Sequence, residues 1–227
     1  MIFADRTIAG KQLAETLQLH LKTTGHLNAA ELLVIGLPRG GVPVALEVAR
    51  KLACPMDILV SKKISFPGQP EYAIGAVTSD GIVMLNEDIV KRCELDSYIE
   101  TERQRLLLQT QEIENEFRTL ANCPHIDVDN KIVVLVDDGI ATGMTAIAAV
   151  GSIQHRGAKR IIVAAPVMSI ESYHDLDKYC DDVIAISLPQ EFLAVGCHYD
   201  KFTQTTNEEV VKALHEATGM ISSLKAQ

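Results

Sequence analysis

The chain has 227 residues, 47% of them hydrophobic and 22% charged, with a formal net charge of −9. That length suits one large domain with its own core, and the apolar fraction excludes general disorder. The acidic balance argues against a basic nucleic-acid face as the main working surface.

In chain order, Ile8, Leu13, Leu17 and Leu21 recur at helical spacing and predict a helix over 8–21. Asp5 and Arg6 stand where an export signal would be apolar. Residues 32–36 read as a short buried strand, 42–52 as a helix entered through a glycine turn, and 57–60 as a second strand ending in Lys62 and Lys63. Residues 73–85 read as a hairpin turning at Ser79-Asp80-Gly81. A long polar helix is predicted over 94–120. Its Ile99, Leu106, Ile113 and Leu120 stand seven apart, a seam suited to packing along the domain or against a second copy. Strands at 132–136, 161–165 and 183–187 and a helix at 142–156 follow. A final helix spans 207–220, with Asn207 as its cap and Glu208 and Glu209 in its first turn.

The best apolar run, 161–168, is far shorter than the ~18–20 residues of a membrane span and contains Pro166. Cys54, Cys93, Cys123, Cys180 and Cys197 are odd in number and form no C-x-x-C pair. They read as free thiols of a reducing cytosol, so a cytoplasmic protein is expected. His155, His174 and His198 show no metal-ligand spacing.

Strands alternating with helices imply an α/β fold, a central parallel sheet with helices on both faces. Ligands of such sheets sit beyond the carboxyl ends of the strands. There the segment 131–145 reads KIVVLVDDGIATGMT. An apolar strand ends in Asp137 and Asp138, and a helix opens at Thr142-Gly143-Met144-Thr145. A helix N-terminus suits a phosphate, Gly143 allows close backbone approach, and Thr142 and Thr145 add hydroxyl donors. Two carboxylates can accept from a diol or hold a hydrated magnesium indirectly. Phosphate at one end and hydroxyls at the other describe a ribose 5-phosphate. A Walker loop does not fit, since no lysine stands near Met144. After the first strand comes GLPRGGVP, where Arg39 offers a forked cation and Gly40 and Gly41 free backbone amides to an anion.

The strand, two acids, three residues and Thr-Gly-x-Thr resemble the 5-phosphoribosyl-1-diphosphate (PRPP) signature of type I phosphoribosyltransferases. The similarity extends to a group of such proteins without an assigned substrate. It implies one domain, with a core over about 28–187, a mobile flap over about 64–86 and a small hood at 188–206 with the N-terminal segment. It further implies that Asp137 and Asp138 orient the ribose and that Gly139, Ile140, Ala141, Thr142, Gly143, Met144 and Thr145 surround PRPP. Pro38, Arg39, Gly40 and Gly41 would form the pyrophosphate loop, with the Pro38–Arg39 peptide cis, and Lys62 and Lys63 would reach the pyrophosphate. Glu71 and Tyr72 are candidate flap residues. FLAVGCHYDKF at 192–202 is similar to the hood end of purine-salvage members through Phe192, Val195 and Gly196, with Tyr199-Asp200 in reversed order. Phe192 or Tyr199 would stack on the base.

The implied activity is transfer of the phosphoribosyl group from PRPP, with Mg2+, to a nitrogenous base, releasing pyrophosphate as in nucleotide salvage. Arg39, Asp137 and Asp138 would be its catalytic residues, and a homodimer is expected. Ala141 stands where 6-oxopurine members carry an aspartate and adenine-type members an alanine, while the hood resembles the former. A purine-like base is favoured and its identity stays open. The alternatives are a PRPP-sensing regulator with little catalysis and a PRPP-dependent step on a non-purine acceptor.

Overall fold

The computed structural model describes residues 1–224. In chain order its elements are α1 (Arg6–Thr23), β1 (Leu32–Gly36), α2 (Gly41–Leu52), β2 (Met56–Ile58), β3 (Ser61–Phe66), β4 (Gln69–Thr78) and β5 (Val83–Leu85). Then come α3 (Glu87–Arg92), α4 (Asp96–Ala121), β6 (Ile132–Val136), α5 (Met144–His155), β7 (Arg160–Val167), α6 (Ile170–Leu176), β8 (Asp182–Ser187) and α7 (Asn207–Leu224).

Five strands form a parallel sheet in the order β2-β1-β6-β7-β8. Its central strands are apolar throughout because helices cover both faces. Leu32, Val34, Val134 and Ile162 pack with α1, α2 and α7 on one face. Leu33, Ile35, Val133 and Val163 pack with α5 and α6 on the other. The fold class matches the sequence reading. The first helix buries Ala9, Leu13, Ala14, Leu17 and Leu21, while Ile8 is exposed.

β3, β4 and β5 form a separate antiparallel sheet lying against α4 and α5. This corrects the reading that Lys62 and Lys63 end the second core strand. β2 stops at Ile58, the Val60 amide donates to Glu114 Oε2 at 3.1 Å instead of continuing the ladder, and both lysines lie in β3. The hairpin at 79–82 is as expected, with Gly81 at φ +92°. A second hairpin, β3–β4, turns at Pro67-Gly68, where Gly68 has φ +77°.

The seven-residue seam on the long helix drifts. α4 buries Ile99, Leu106, Thr110, Glu114, Phe117 and Ala121, and Leu120 is 61% exposed. A straight helix of 3.6 residues per turn leaves a strict heptad behind after a few turns. The cap of α7 also shifts. Thr206 Oγ1 accepts from the Glu209 amide at 3.2 Å and Glu209 Oε2 accepts from the Thr206 amide at 2.8 Å. This is a reciprocal capping box, with Asn207 as the first helical residue. No helix among the described residues is long and apolar enough to cross a membrane.

Candidate functional site

β1 and β6 are neighbours and end in register, Gly36 beside Val136. The loops that follow therefore leave the sheet side by side. The Leu37 amide donates to Val136 O at 2.9 Å and the Gly41 amide to Leu37 O at 3.0 Å, so the first loop closes tightly over the second. Its Pro38–Arg39 peptide is cis. Both loop glycines are required by close approach. A Cβ on Gly40 would overlap the Asp138 carboxylate, and one on Gly41 would stand 2.7 Å from Val136 O. Arg39 is exposed, and its Nη1 donates to Asn207 Oδ1 at 3.4 Å.

The second loop is anchored on its far side. The Ile140 amide donates to Val167 O and the Ser169 amide to Ile140 O, each at 3.0 Å. Ala141 O accepts from Ser169 Oγ at 2.8 Å and Ser172 Oγ at 2.6 Å. Gly143, at φ +72°, is the N-cap of α5 and carries no capping side chain. That backbone conformation is open to glycine at little cost, and it leaves the start of α5 without a side-chain lid.

The two acids are not alike. Asp137 is half-buried, and its Oδ1 accepts from the Asp138 amide at 2.8 Å. Asp138 is only 8% exposed. Arg6 Nε donates to Asp138 Oδ2 at 2.7 Å, and the Tyr199 hydroxyl donates to Asp138 O. Burial and the adjacent Asp138 push the Asp137 carboxyl well above the usual carboxylate range. Burial also raises Asp138, against the opposing charge of Arg6.

The other residues singled out in the sequence separate into groups. Tyr199 is not a free stacking platform. It is 6% exposed, its ring lies 5.5 Å from Phe3 and 5.1 Å from Phe202, and burial pushes its hydroxyl up. Phe192 is half-buried, sits 5.3 Å from the His198 ring, and lines a pocket with Ala141, Thr142, Glu171 and His174. Alternation along β3 places Lys62 and Lys63 on opposite faces. Lys62 Nζ donates to Gln109 of α4 at 3.1 Å, whereas Lys63 pairs with Glu71 at 3.1 Å. Glu71 and Tyr72 are exposed near the β3–β4 turn, with Tyr72 6.0 Å from the Phe66 ring.

Sequence reasoning missed Arg6, which lies 132 positions from its partner and belongs to no motif. Val195, one of the hood-motif residues read in the sequence, has its side chain in the space a Cβ on Gly139 would need. The N-terminal segment joins the same region. The Phe3 amide donates to His198 O and the Asp200 amide to Phe3 O, both at 2.8 Å.

A family model described as "Phosphoribosyl transferase domain" matches residues 8–201. Two Mycobacterium tuberculosis proteins, Rv0571c from strain H37Rv and MT0597 from strain CDC 1551, are each 40% identical over 217 residues, 95% of this chain. The chain spans about half the length of these curated relatives, 47% of each. The crystal structure of TT1426 from Thermus thermophilus is 39% identical and superposes with a TM-score of 0.79 over 95% of this chain and 99% of that one. With the model covering most of the chain and its loops placed at the ends of paired strands, the protein belongs to the phosphoribosyl transferase domain family.

Proposed function

We propose that the chain binds PRPP and transfers its 5-phosphoribosyl group to a nitrogenous base, purine-like by preference, with release of pyrophosphate. The observation that carries this reading is the pairing of two anion-suited loops at adjacent strand ends. The exposed Arg39 stands on one and the uncapped start of α5 on the other, with two carboxylates between. The 5-phosphate takes the backbone of 141–145 and the hydroxyls of Thr142 and Thr145. The ribose hydroxyls donate to the Asp137 and Asp138 carboxylates. The diphosphate takes the guanidinium of Arg39 and the backbone at Gly40 and Gly41.

In the reaction the bond from C1 of the ribose to the diphosphate oxygen breaks, a bond from C1 to a nitrogen of the base forms, and the proton of that nitrogen passes to the released diphosphate or to water. Arg39 stabilises negative charge gathering on the leaving group, and the acids hold the ring where positive charge develops. Fixing the remote 5-phosphate aligns the reacting atoms. Magnesium, when bound, supplies positive charge on the diphosphate. Among the described residues no group of three or more His, Cys, Asp or Glu side chains is arranged to hold a metal ion. Asp137 and Asp138 would be the residues to meet such a metal, through water, at the diphosphate.

We place the base in the pocket beside Ala141 and Thr142, against Phe192. The β3–β5 sheet serves as the flap, with Glu71 and Tyr72 near its tip and Lys63 paired to Glu71, and residues 188–206 with the N-terminal segment serve as the hood. A panel of purines, pyrimidines and other nitrogen heterocycles, incubated with PRPP and magnesium, tests the reading through pyrophosphate release. Release with one base supports transfer. Tight PRPP binding with no release from any base would replace it with the sensing role.

A further inference from the structure

We propose that Arg6 is a positioning residue for the ribose end of this site. Its guanidinium fixes the Asp138 carboxylate, and the segment at 202–203 fixes the guanidinium. The proposal rests on the reading of Asp137 and Asp138 as the ribose acids.

Arg6 opens α1, and three parts of its planar group are engaged at once. Nε donates to Asp138 Oδ2 at 2.7 Å, Nη1 donates to Thr203 O at 2.7 Å, and the flat face lies 4.1 Å from the centre of the Phe202 ring. The side chains of Arg6 and Asp138 are each 12% exposed, so the pair is held in the interior and little screened. On its other side the Asp138 carboxylate meets Gly40, where no Cβ would fit. The main chain of the same residue is held by the Tyr199 hydroxyl, and the Tyr199 ring packs between Phe3 and Phe202.

Asp138 therefore has one orientation, set from three directions, and Arg6 supplies the only one of these that is a charged hydrogen bond. A carboxylate that accepts from a sugar hydroxyl binds best when it need not be ordered on binding. Arg6 serves that end from 132 positions away. Lysine could supply the charge but not the ring contact and the two divergent donors together.

Calorimetric titrations of PRPP, ribose 5-phosphate and inorganic pyrophosphate, each with magnesium, test this on the full chain. Arg6→Gln should weaken PRPP and ribose 5-phosphate by the same factor, about tenfold or more, as expected for a lost hydrogen bond to a charged group, and leave pyrophosphate unchanged. Arg6→Lys should recover part of that loss. Unchanged affinity for both ribose ligands in Arg6→Gln would overturn the proposal. So would an equal loss for pyrophosphate, which would mark a general structural role. Should Arg6→Gln fail to fold, Phe202→Leu keeps the guanidinium and removes its platform. A smaller loss confined to the ribose ligands supports the proposal, and none overturns it. The double change Asp137→Asn with Asp138→Asn separates the layers. If PRPP binding survives there, the ribose reading falls. If it is lost there but intact in Arg6→Gln, only the role of Arg6 falls.

Discussion

Two pairs of carboxylates lie inside this molecule, each beside one arginine, and they differ in how far their acceptors are filled. Asp57 and Glu114 bracket Arg118. Arg118 Nη1 donates to Asp57 Oδ1 at 2.7 Å, and its Nε and Nη2 donate to Glu114 Oε1 at 3.0 and 2.8 Å. The remaining oxygens accept from the Ile126 amide, the Val60 amide and the Ser79 hydroxyl, and His125 Nε2 stands 3.2 Å from Glu114. Burial alone would raise the Glu114 carboxyl. The bonds from His125 and Ser79 and the charge of Arg118 outweigh it, so the carboxyl sits at about 2. Asp137 and Asp138 have Arg6, one main-chain amide and each other's carboxyl, and burial wins at both. A pair whose acceptors are filled from within is a brace between α4, β2 and the hairpin turn. A pair raised by burial and short of donors is suited to donors brought by a ligand.

The largest expected effect breaks the brace. Arg118→Ala leaves two buried carboxylates without their cation and should cost about 3–5 kcal/mol in urea unfolding. A loss below about 1 kcal/mol would mean that the network adds little to the fold. At the other pair, Asp137→Asn with Asp138→Asn should cost PRPP binding at least about 2–3 kcal/mol by calorimetry while the fold persists. Unchanged binding would remove the acids from the site.

The single change Asp137→Asn sharpens the contrast through its sign. A carboxyl raised by folding adds stability below its ordinary value near 3.8 and loses that contribution as pH rises through the raised value. At pH 7 the variant should therefore melt no lower than the parent. A drop at pH 7 that disappears in acid would contradict this.

Arg39→Ala should weaken PRPP and pyrophosphate by roughly 1.5–3 kcal/mol and ribose 5-phosphate far less, with Arg39→Lys recovering part. Equal weakening of all three ligands would make Arg39 a holder of the fold. The last contrast lies in the acid limb of Glu114. A carboxyl lowered from 4.5 to about 2 adds stability above about pH 4.5 that is lost as pH falls toward 2. Glu114→Gln should flatten that part of the stability curve, and an unaltered slope between pH 4.5 and 2 would count against the assignment.

The strand-end acids and the Thr-Gly-x-Thr turn were legible because every part of that site lies within one short segment whose periodicity changes from strand to helix. The Arg39 loop was legible for the same reason. Arg6 was not, since nothing local marks an arginine that pairs 132 positions away. Lys62 and Lys63 were misplaced because Leu59 and Val60 extend the apolar run past the true end of β2, and only the Glu114 carboxylate, far along the chain, ends the ladder there. Tyr199 looked like a platform because an aromatic in a hood-like motif says nothing of what covers it. The cover is Phe3, from the opposite end of the sequence. The Thr206–Glu209 box, by contrast, was present in the sequence and outranked by the neighbouring Asn207.

The register of β1 against β6 also bears on the order of assembly. Leu32 pairs with Ile132, so the two loops meet only after a long stretch of chain has been gathered between them. β3, β4 and β5 all lie within residues 61–85 and close through two short turns. Loop-closure entropy grows with the length enclosed, and local pairings form first. The small sheet should thus gain protection before the central strands. Pulse-labelled hydrogen exchange during refolding should show amides of 61–85 slowing ahead of those at 32–36 and 132–136, and the reverse order would refute it. Ligand binding would then begin only at the last stage of folding, when distant parts of the chain close on one another.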